Sequence, residues 1–565
     1  MKRQIIILTL LVLTIFIVAI GCSPDPVTET IEVEVTRVVT ETVEVEGEVV
    51  EVTVVNTVVE EVVQEVVVVE SEAADEAMEE DYEEMEEEMA DDSAVEEAPI
   101  AVAPLPQATP EPLAQPPSNT FFEDYGVNPF ISTQADRLST FSLDVDTGSY
   151  TIARRYINDG LRPPAEAIRV EEFVNAIDQG YQSPPETGFA VYADGAPSPF
   201  HNDGTHFIRI GVQGYDVDAE VRPAAALTFV IDVSGSMAAE NRLGLVKQSL
   251  ELLVEQMRPD DTIAIVVYGS DARVVLSPTS GSDKNTILNG IYSLQTEGST
   301  NLEAGLLLGY EMANLAYKSG GINRVILASD GVANVGSTGP DSIVAQIRGF
   351  ADSGIHLTTI GFGLGNFNDV MMEQLADQGD GAYAYIDSLD EAERLFVEEM
   401  MSTLQTIALD AKIQVEFDPN VVQQYRLIGY ENRAIADNDF RNDSVDAAEF
   451  GAGHTAVAIY AVQFVPGAQG RIATVNLRWQ NPDTRQVQEI SGTFGTDDLT
   501  TAFDIADPYF QTSVVASQFA ELLRESYWAD GMSYSDLRIW ADRLASQTNH
   551  PDVVELAELI RRLAG

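Results

Sequence analysis

Residues 227–236 of the chain read LTFVIDVSGS. Its mostly apolar first half predicts a buried strand of a parallel sheet. The strand runs directly into Asp232, Ser234 and Ser236, whose side chains point the same way because extended chain repeats every second residue. The carboxyl ends of the strands form the ligand-binding edge of an open α/β sheet. We therefore expect one carboxylate and two hydroxyls to lie together at that edge.

The surrounding segment alternates apolar strands with helices. The sequence predicts strands at 227–233, 262–268, 273–276, 325–328 and 357–361, and helices at 243–257, 302–317, 342–351 and 387–404. Continuous apolar strands alternating with helices are typical of a mostly parallel sheet that is covered on both faces. The predicted fold class is therefore α/β, a three-layer sandwich with a mostly parallel sheet.

Two further polar residues fall at matching places in this alternation. Thr300 directly precedes the helix that starts near Leu302, and Asp330 follows the strand that ends at Ser329. Both positions lie where a side chain could reach the same edge as Ser234. Hydroxyl and carboxylate oxygens are hard ligands that suit Mg²⁺, Mn²⁺ or Ca²⁺ better than softer metals. The sequence therefore predicts a site for one divalent cation.

Together these motifs resemble the von Willebrand factor type A (VWA) family, whose domains have a Rossmann-like fold and a metal-ion-dependent adhesion site. The family pattern takes an Asp-x-Ser-x-Ser string, a Thr and an Asp from three loops. Carried over by position, the resemblance implies the metal residues Asp232, Ser234, Ser236, Thr300 and Asp330. It also implies that the hydroxyls touch the ion and the acids act through water. One coordination position then stays open for an Asp or Glu carboxylate of a partner protein.

The resemblance extends beyond this domain. Residues 141–150 and 169–173 look like the region that precedes the VWA domain in a group of bacterial lipoproteins, and residues 410–565 look like the uncharacterised C-terminal domain of that group. The expected organisation is a signal peptide at 1–21, a stalk at 22–118, a VWA-associated region at 119–224, the VWA domain at 225–405, and a β-rich then helical domain at 406–565. The two flanks are expected to pack on each other, with the VWA domain inserted between them.

The chain begins with a secretory pattern. Met1, Lys2 and Arg3 precede an apolar run, and the run ends at Cys22, the only cysteine of the chain. Such a segment is typical of a secretory signal, and its end resembles a lipobox with Ala19 where Leu is usual. We expect Cys22 to be lipidated and the protein to be extracytoplasmic, anchored to the cell membrane or envelope. A plain transmembrane anchor is the alternative, although the run is short for one.

Residues 23–118 predict a low-complexity, disordered stalk. Residues 27–70 are mostly Val, Thr and Glu, with strand-like alternation in one part and near-helical spacing in another, so their conformation stays open. An acidic run and a proline-rich linker follow. The whole chain carries 92 acidic against 31 basic residues, a net charge of −61. Nucleic acid is excluded as an expected partner, because phosphate binding needs clustered Lys and Arg.

The sequence also contains motifs that resemble those of enzymes. Asp146-Thr147-Gly148 with Asp352 mimics an aspartic-protease pair, and Asp144 with Asp146 mimics a phosphatase motif, but neither context supplies the required strands. These acids are expected to cap a helix start or hold a turn. Because no nucleophile, base and oxyanion donors occur together, a hydrolase is the weaker alternative and we expect no enzyme. A structural envelope protein, whose metal only stabilises the fold, is the other alternative.

Overall fold

The computed structural model describes residues 27–45, 48–66, 120–185, 188–218, 222–331, 347–351, 353–363, 367–399, 404–482 and 484–565. The chain divides into two compact units, residues 1–106 and 107–565. The predicted signal peptide and Cys22 lie outside the described residues, as does most of the predicted disordered stalk. Among the residues that are described, no helix combines the length and the apolarity needed to cross a membrane.

The first unit contains a long hairpin. Strands β1 (Val27–Val45) and β2 (Glu48–Val66) pair antiparallel along their whole length, with Val27 opposite Val66. Of the two conformations that the Val/Thr/Glu pattern left open, the structure has the strand. The high β-propensity of Val and Thr is the physical reason for this outcome.

In the second unit, the segment that contains LTFVIDVSGS forms a six-stranded sheet. The strands are β7 (Ala225–Asp232), β8 (Thr262–Tyr268), β9 (Ala272–Ser280), β10 (Ile322–Ser329), β11 (His356–Phe362) and β12 (Tyr383–Ile386). Their order is β12-β11-β10-β7-β8-β9, parallel except for the antiparallel edge strand β9. Leu227, Phe229 and Ile231 enter the core on one face and Val230 the core on the other. The sheet is therefore covered on both faces, which confirms the three-layer α/β prediction.

The helices of this segment account for the two covered faces. They are α3 (Arg242–Gln256), α4 (Lys284–Tyr292), α5 (Leu302–Ala316), α6 (Asp369–Asp377) and α7 (Leu389–Glu393). Residues of α3 and α4 pack on one face, and residues of α5 and α6 pack on the other. The predicted single helix over 387–404 is only partly confirmed, because a π-helical turn over Arg394–Glu398 follows α7.

The segments before and after the inserted domain build one β-sandwich together. The strands are β3 (Ile131–Ser132), β4 (Leu138–Ser142), β5 (Phe189–Pro197), β6 (His206–Gly214), β13 (Thr406–Phe417), β14 (Val422–Ile428), β15 (Ala448–Gly451), β16 (Thr455–Phe464), β17 (Arg471–Gln480) and β18 (Val487–Gly495). One sheet has the order β15-β13-β17-β18 with β4 paired to β13, and the other has the order β3-β14-β16-β6-β5. Strands of the two flanks thus pair with each other, as expected, although the α/β domain separates them in the sequence.

Helices from both flanks cover the outer face of the second sheet. These helices are α1 (Gly148–Asn158), α2 (Val170–Asn175), α8 (Pro508–Leu523), α9 (Tyr534–Thr548) and α10 (Pro551–Ala564). Phe173 of α2 and Phe519 of α8 pack in one core with Phe207 of β6 and Ile459 of β16. Helix α1 also contributes Ile152 to the core on one face of the VWA sheet. Helix α1 therefore joins the flanks to the inserted domain.

A buried network of charges crosses the same junction. Arg169 pairs with Glu172 of its own flank and with Asp369 at the start of α6, and all three side chains are at most 6% exposed. Arg433 of the C-terminal flank contacts Asp144 and Asp146 of the N-terminal flank at 3.4 and 3.3 Å. The prediction that these acids hold a turn is confirmed, because the Asp144 carboxylate accepts the backbone N–H of Asp146 at 2.8 Å.

The alternative prediction for these two acids, a helix cap, is wrong. Helix α1 begins after Thr147, whose side chain makes no capping hydrogen bond, and the Ser149 N–H of its first turn donates to Glu172 Oε2 at 2.6 Å rather than to either acid. The second acid instead accepts the backbone N–H of Tyr383, with Asp146 Oδ1 at 3.2 Å from that nitrogen. The Asp144–Asp146 string therefore ties β12 and Arg433 to the flank.

Glu171 gives this junction a predicted pH dependence. Burial, aided by the neighbouring Asp144 and Glu431, raises the pKa of Glu171 to about 7. A carboxyl with a raised folded-state pKa stabilises the fold at low pH, and this contribution is lost as the pH rises through 7. We expect Glu171→Gln to equal the wild type near pH 4.5 and to be more stable at pH 8, by on the order of 2–3 kcal/mol.

Urea unfolding at several pH values measures this difference. The backbone N–H of Tyr430 donates to Glu171 Oε2 at 2.8 Å, and the amide oxygen of a glutamine can accept the same bond. Glu166→Gln, at an exposed position a few residues earlier, is the matched control. A Glu171→Gln variant whose stability follows the wild type at every pH would contradict the assignment.

Candidate metal site at the carboxyl edge of the VWA sheet

The loop after β7 brings the first three predicted residues together. Asp232 is fully buried, and its Oδ1 accepts the backbone N–H of Ser234 at 2.8 Å. This bond folds the chain back on itself before the 3₁₀ turn over Gly235–Asn241. The hydroxyls of Ser234 and Ser236 then lie 2.9 Å apart. The structure therefore brings the Asp232 carboxylate and the two serine hydroxyls together at the end of β7, as expected from the sequence.

The loop that carries Thr300 is hydrogen-bonded to the Ser234 loop. The backbone N–H of Gly235 donates to the carbonyl of Gly298 at 3.2 Å, and the N–H of Glu297 donates to the carbonyl of Val233 at 2.5 Å. Gly298 has φ +71°, and a Cβ there would lie 2.4 Å from the Ser270 hydroxyl, so only glycine fits. Thr300 is 8% exposed and directly precedes Asn301, which caps α5. Thr300 therefore lies on a loop that is fixed against the Ser234 loop.

Asp330 reaches the same edge from the neighbouring parallel strand. Strand β10 pairs with β7 up to Ala328 and Ile231, so the two strands end side by side. The Ser329 hydroxyl donates to Asp232 Oδ2 at 3.0 Å. Asp330 is fully buried; its Oδ2 accepts from Arg242 at 2.7 Å, whereas its Oδ1 has no hydrogen-bond partner among the residues that the structure describes.

The two acids influence each other electrostatically. Burial raises the pKa of Asp232 to about 6; hydrogen bonds from Ser234 and Ser329 lower it, and the charge of Asp330 raises it. Burial also raises the pKa of Tyr268, and the charge of Asp232 adds to this effect. Arg242 compensates the charge of Asp330, which leaves Asp232 as the buried carboxylate whose charge has no cationic partner among the described residues.

This arrangement fits a hard divalent ion. The edge formed by the ends of β7 and β10 carries a carboxylate oxygen that has no partner among the described residues, two hydroxyls in contact, and a third hydroxyl on a loop fixed against them. Oxygen groups of this kind are the ligands that Mg²⁺, Mn²⁺ and Ca²⁺ take. Within the described residues, no group of three or more His, Cys, Asp or Glu could hold a metal.

Two residues of the site were not predicted from the sequence. Ser329 precedes Asp330 at the end of β10, and its position as the last strand residue was a usable signal. Arg242 begins α3 and lies 88 residues before Asp330 in the chain. No local pattern connects a cation at a helix start with a distant acid, so only the folded structure reveals this pair.

Family models match three stretches of the chain. A model described as von Willebrand factor matches residues 116–209, one described as von Willebrand factor type A domain matches residues 227–332, and one described as uncharacterized protein YfbK, C-terminal, matches residues 402–471. The YfbK protein of Escherichia coli K12 is 36% identical over 476 residues, which cover 80% of this chain and 82% of YfbK.

The chain belongs to the YfbK family. The second of the three matches contains the loops of Ser234, Thr300 and Asp330, and the third begins just before β13. YfbK-family membership therefore accounts for the inserted VWA domain and for the strands that follow it. As a VWA-domain protein, the chain is of a class that typically mediates protein–protein interaction.

More distant relatives share the VWA part with this YfbK-family chain. The human inter-alpha-trypsin inhibitor heavy chain H3 is 29% identical over 210 residues, which cover 35% of this chain and 22% of the human protein. A von Willebrand factor type A structure from Catenulispora acidiphila is 14% identical with a TM-score of 0.39, and the match covers 68% of this chain and 91% of that one.

Proposed function

We propose that this protein is a cell-envelope lipoprotein that binds a partner protein through a divalent cation at the edge of its VWA sheet. The buried Asp330 Oδ1, which has no hydrogen-bond partner among the described residues, carries the proposal together with the Ser234–Ser236 hydroxyl pair at the same edge of the sheet. A buried carboxylate oxygen that lacks a donor is costly, and a cation relieves that cost. Mg²⁺ is the expected ion, with Mn²⁺ and Ca²⁺ as the other oxygen-loving candidates.

The residues divide into two roles in this proposal. The hydroxyls of Ser234, Ser236 and Thr300 would hold the ion directly, while Asp232 and Asp330 would act through bound water. Both oxygens of Asp232 already accept hydrogen bonds, from the Ser234 N–H and from the Ser329 hydroxyl, so this acid orients the loop. The bound ion supplies an open coordination position for a carboxylate. Ser236 is partly exposed, which gives a partner's Asp or Glu access.

The proposed location rests on the N-terminal sequence. The cationic start, the apolar run and Cys22 support export and lipid anchoring. The valine-rich hairpin and the proline-rich linker then act as a spacer between the membrane and the VWA domain. This arrangement presents the site of Ser234 to other proteins of the envelope.

The metal site has a direct test in solution. We expect calorimetric titration of Mg²⁺ or Mn²⁺ into the protein to show one binding site. The Ser234→Ala substitution should lower the affinity of this site for the ion by roughly 10- to 100-fold. The matched control is Ser299→Ala, because that exposed hydroxyl bonds to Ser270 and lies on the Thr300 loop. Equal affinity in the wild type and in Ser234→Ala, with both folded, would refute the site.

Partner binding is tested with the same variants. The protein is used to capture interactors from a detergent extract of its own cell envelope, with Mg²⁺ or with EDTA. An adhesion protein retains a specific partner only in Mg²⁺ and loses it in Ser234→Ala. A metal in either role stabilises the folded state, by about 2.7 kcal/mol at 100 times its Kd, but a purely structural metal gives no metal-dependent partner.

A further inference from the structure

A buried arginine is built into the proposed metal site. Arg242 is the first residue of α3, and its Nη1 donates to Asp330 Oδ2 at 2.7 Å. The Arg242 side chain is 7% exposed and that of Asp330 is 0% exposed. Because both charges are out of water, their interaction is much stronger than that of a surface ion pair.

The packing around Arg242 holds the guanidinium in this position. Gly363, with φ +79°, lies directly against the side chain. A Cβ at that position would lie 2.2 Å from Arg242 Nε and 2.4 Å from its Cδ. The arginine therefore occupies a space that the end of β11 leaves open for it, and it is a fixed part of the site.

The formal charges of Asp232, Asp330 and Arg242 show how the arginine affects binding of a divalent ion. The carboxylates of Asp232 and Asp330, both fully buried, contribute −2, and Arg242 brings the sum to −1. A divalent cation changes the sum to +1. A carboxylate from a partner then returns it to zero. Without Arg242 the same cation would already neutralise the two acids, and a partner's negative charge would add an excess.

We propose that Arg242 is a positioning residue that lowers the affinity of the site for the cation alone and couples cation binding to the arrival of a carboxylate. This inference rests on the proposed function and specifies its partner class as an anionic group. Binding of the cation and of the carboxylate is then mutually favourable, and by linkage each raises the affinity for the other by the same factor.

The first test uses Mn²⁺ alone as the probe. Calorimetric titration compares the wild type with Arg242→Gln, Arg242→Met and Arg242→Lys, after circular dichroism has established that each is folded. We expect the two neutral variants to bind Mn²⁺ roughly tenfold more tightly, because a buried positive charge near the ion has been removed. Arg242→Lys keeps the charge and should stay within about threefold of the wild type. A residue that only maintains the loop would show the opposite sign, with weaker binding in the neutral variants.

The second test needs no variant and uses acetate as the minimal carboxylate. We expect the apparent Kd of the wild type for Mn²⁺ to fall at least about threefold when acetate is added, since the anion completes the charge balance. Unchanged or weaker Mn²⁺ binding in acetate would overturn the inference, even if no neutral variant folds. Mn²⁺ binding by the wild type with neither effect refutes only the role of Arg242, whereas no Mn²⁺ binding at all refutes the proposed function as well.

Discussion

Replacing Arg433 with methionine is expected to lower the free energy of unfolding by about 3–5 kcal/mol, because it leaves buried carboxylates without their cation. The Arg433 guanidinium lies 2.8 Å from Glu373 and 3.3 Å from Asp146, and its side chain is only 9% exposed. Its other carboxylate neighbours are Asp144 at 3.4 Å and Asp377 at 3.1 Å. Methionine keeps much of the apolar stem, so the loss reports mainly on the charge.

Urea unfolding followed by circular dichroism measures this loss. Arg441→Met is the matched control, since Arg441 pairs with Glu489 at 2.6 Å but its side chain is 64% exposed. An exposed pair of this kind contributes about 0–1 kcal/mol. Equal midpoints for the two variants would show that the junction network contributes no more than a surface ion pair.

The placement of the predicted site residues at one edge of the sheet could be inferred from the sequence because each part is fixed locally. An apolar strand followed at once by Asp232, Ser234 and Ser236 determines both the direction of the strand and its end. Strand β10, pairing in parallel with β7, brings Asp330 to the same edge. Thr300 comes just before a helix start, which Asn301 marks by accepting the Ala304 N–H at 3.2 Å. Three local signals thus predicted one shared site.

Some regular elements escaped prediction because they are short. Helix α4 buries only Ile287 and Ile291, so it shows one helical repeat, and strand β12 has four residues. Helix α6, of nine residues, was not predicted either. For the two helices the N-terminal caps were better signals than the periodicity: Asp283 caps α4 by accepting the Thr286 N–H, and Asn368 caps α6 by accepting the Met371 N–H.

Long-range charge pairs could not be predicted for a different reason. Arg169 meets Asp369 across 200 residues, and Arg433 meets Asp146 across 287 residues. In the sequence each of these is one charge among many, and no periodic pattern selects its partner. Burial selects it, because a charge that leaves water must find a counter-charge. The pairs became visible only when the two flanks and α6 were packed together.

The pairing of the flanks predicts that the C-terminal flank cannot fold alone. Residues 404–565, produced as a separate fragment, are expected to lack a cooperative unfolding transition. In the intact protein β16 pairs with β6 from Thr455 to Val462, and β13 pairs with β4 from Lys412 to Glu416. Strand β14 also pairs with β3, so the fragment loses neighbours in both sheets and leaves edges of three strands, β13, β14 and β16, unpaired.

The fragment also lacks a large part of the hydrophobic core of the sandwich, which is a second reason to expect that it does not fold. The N-terminal flank supplies five large side chains to the core of the sandwich, namely Phe141, Leu143, Ile208, Ile210 and Val212. Burial of each contributes about 1.5–3 kcal/mol, which together equals the roughly 5–15 kcal/mol that stabilises a whole domain. Residues 120–565, which keep both flanks, are the control and should melt cooperatively. Adding residues 120–224 as a second chain should restore structure to the fragment. A cooperative melt of residues 404–565 by themselves would show that the strands of the N-terminal flank are not needed for this segment to fold.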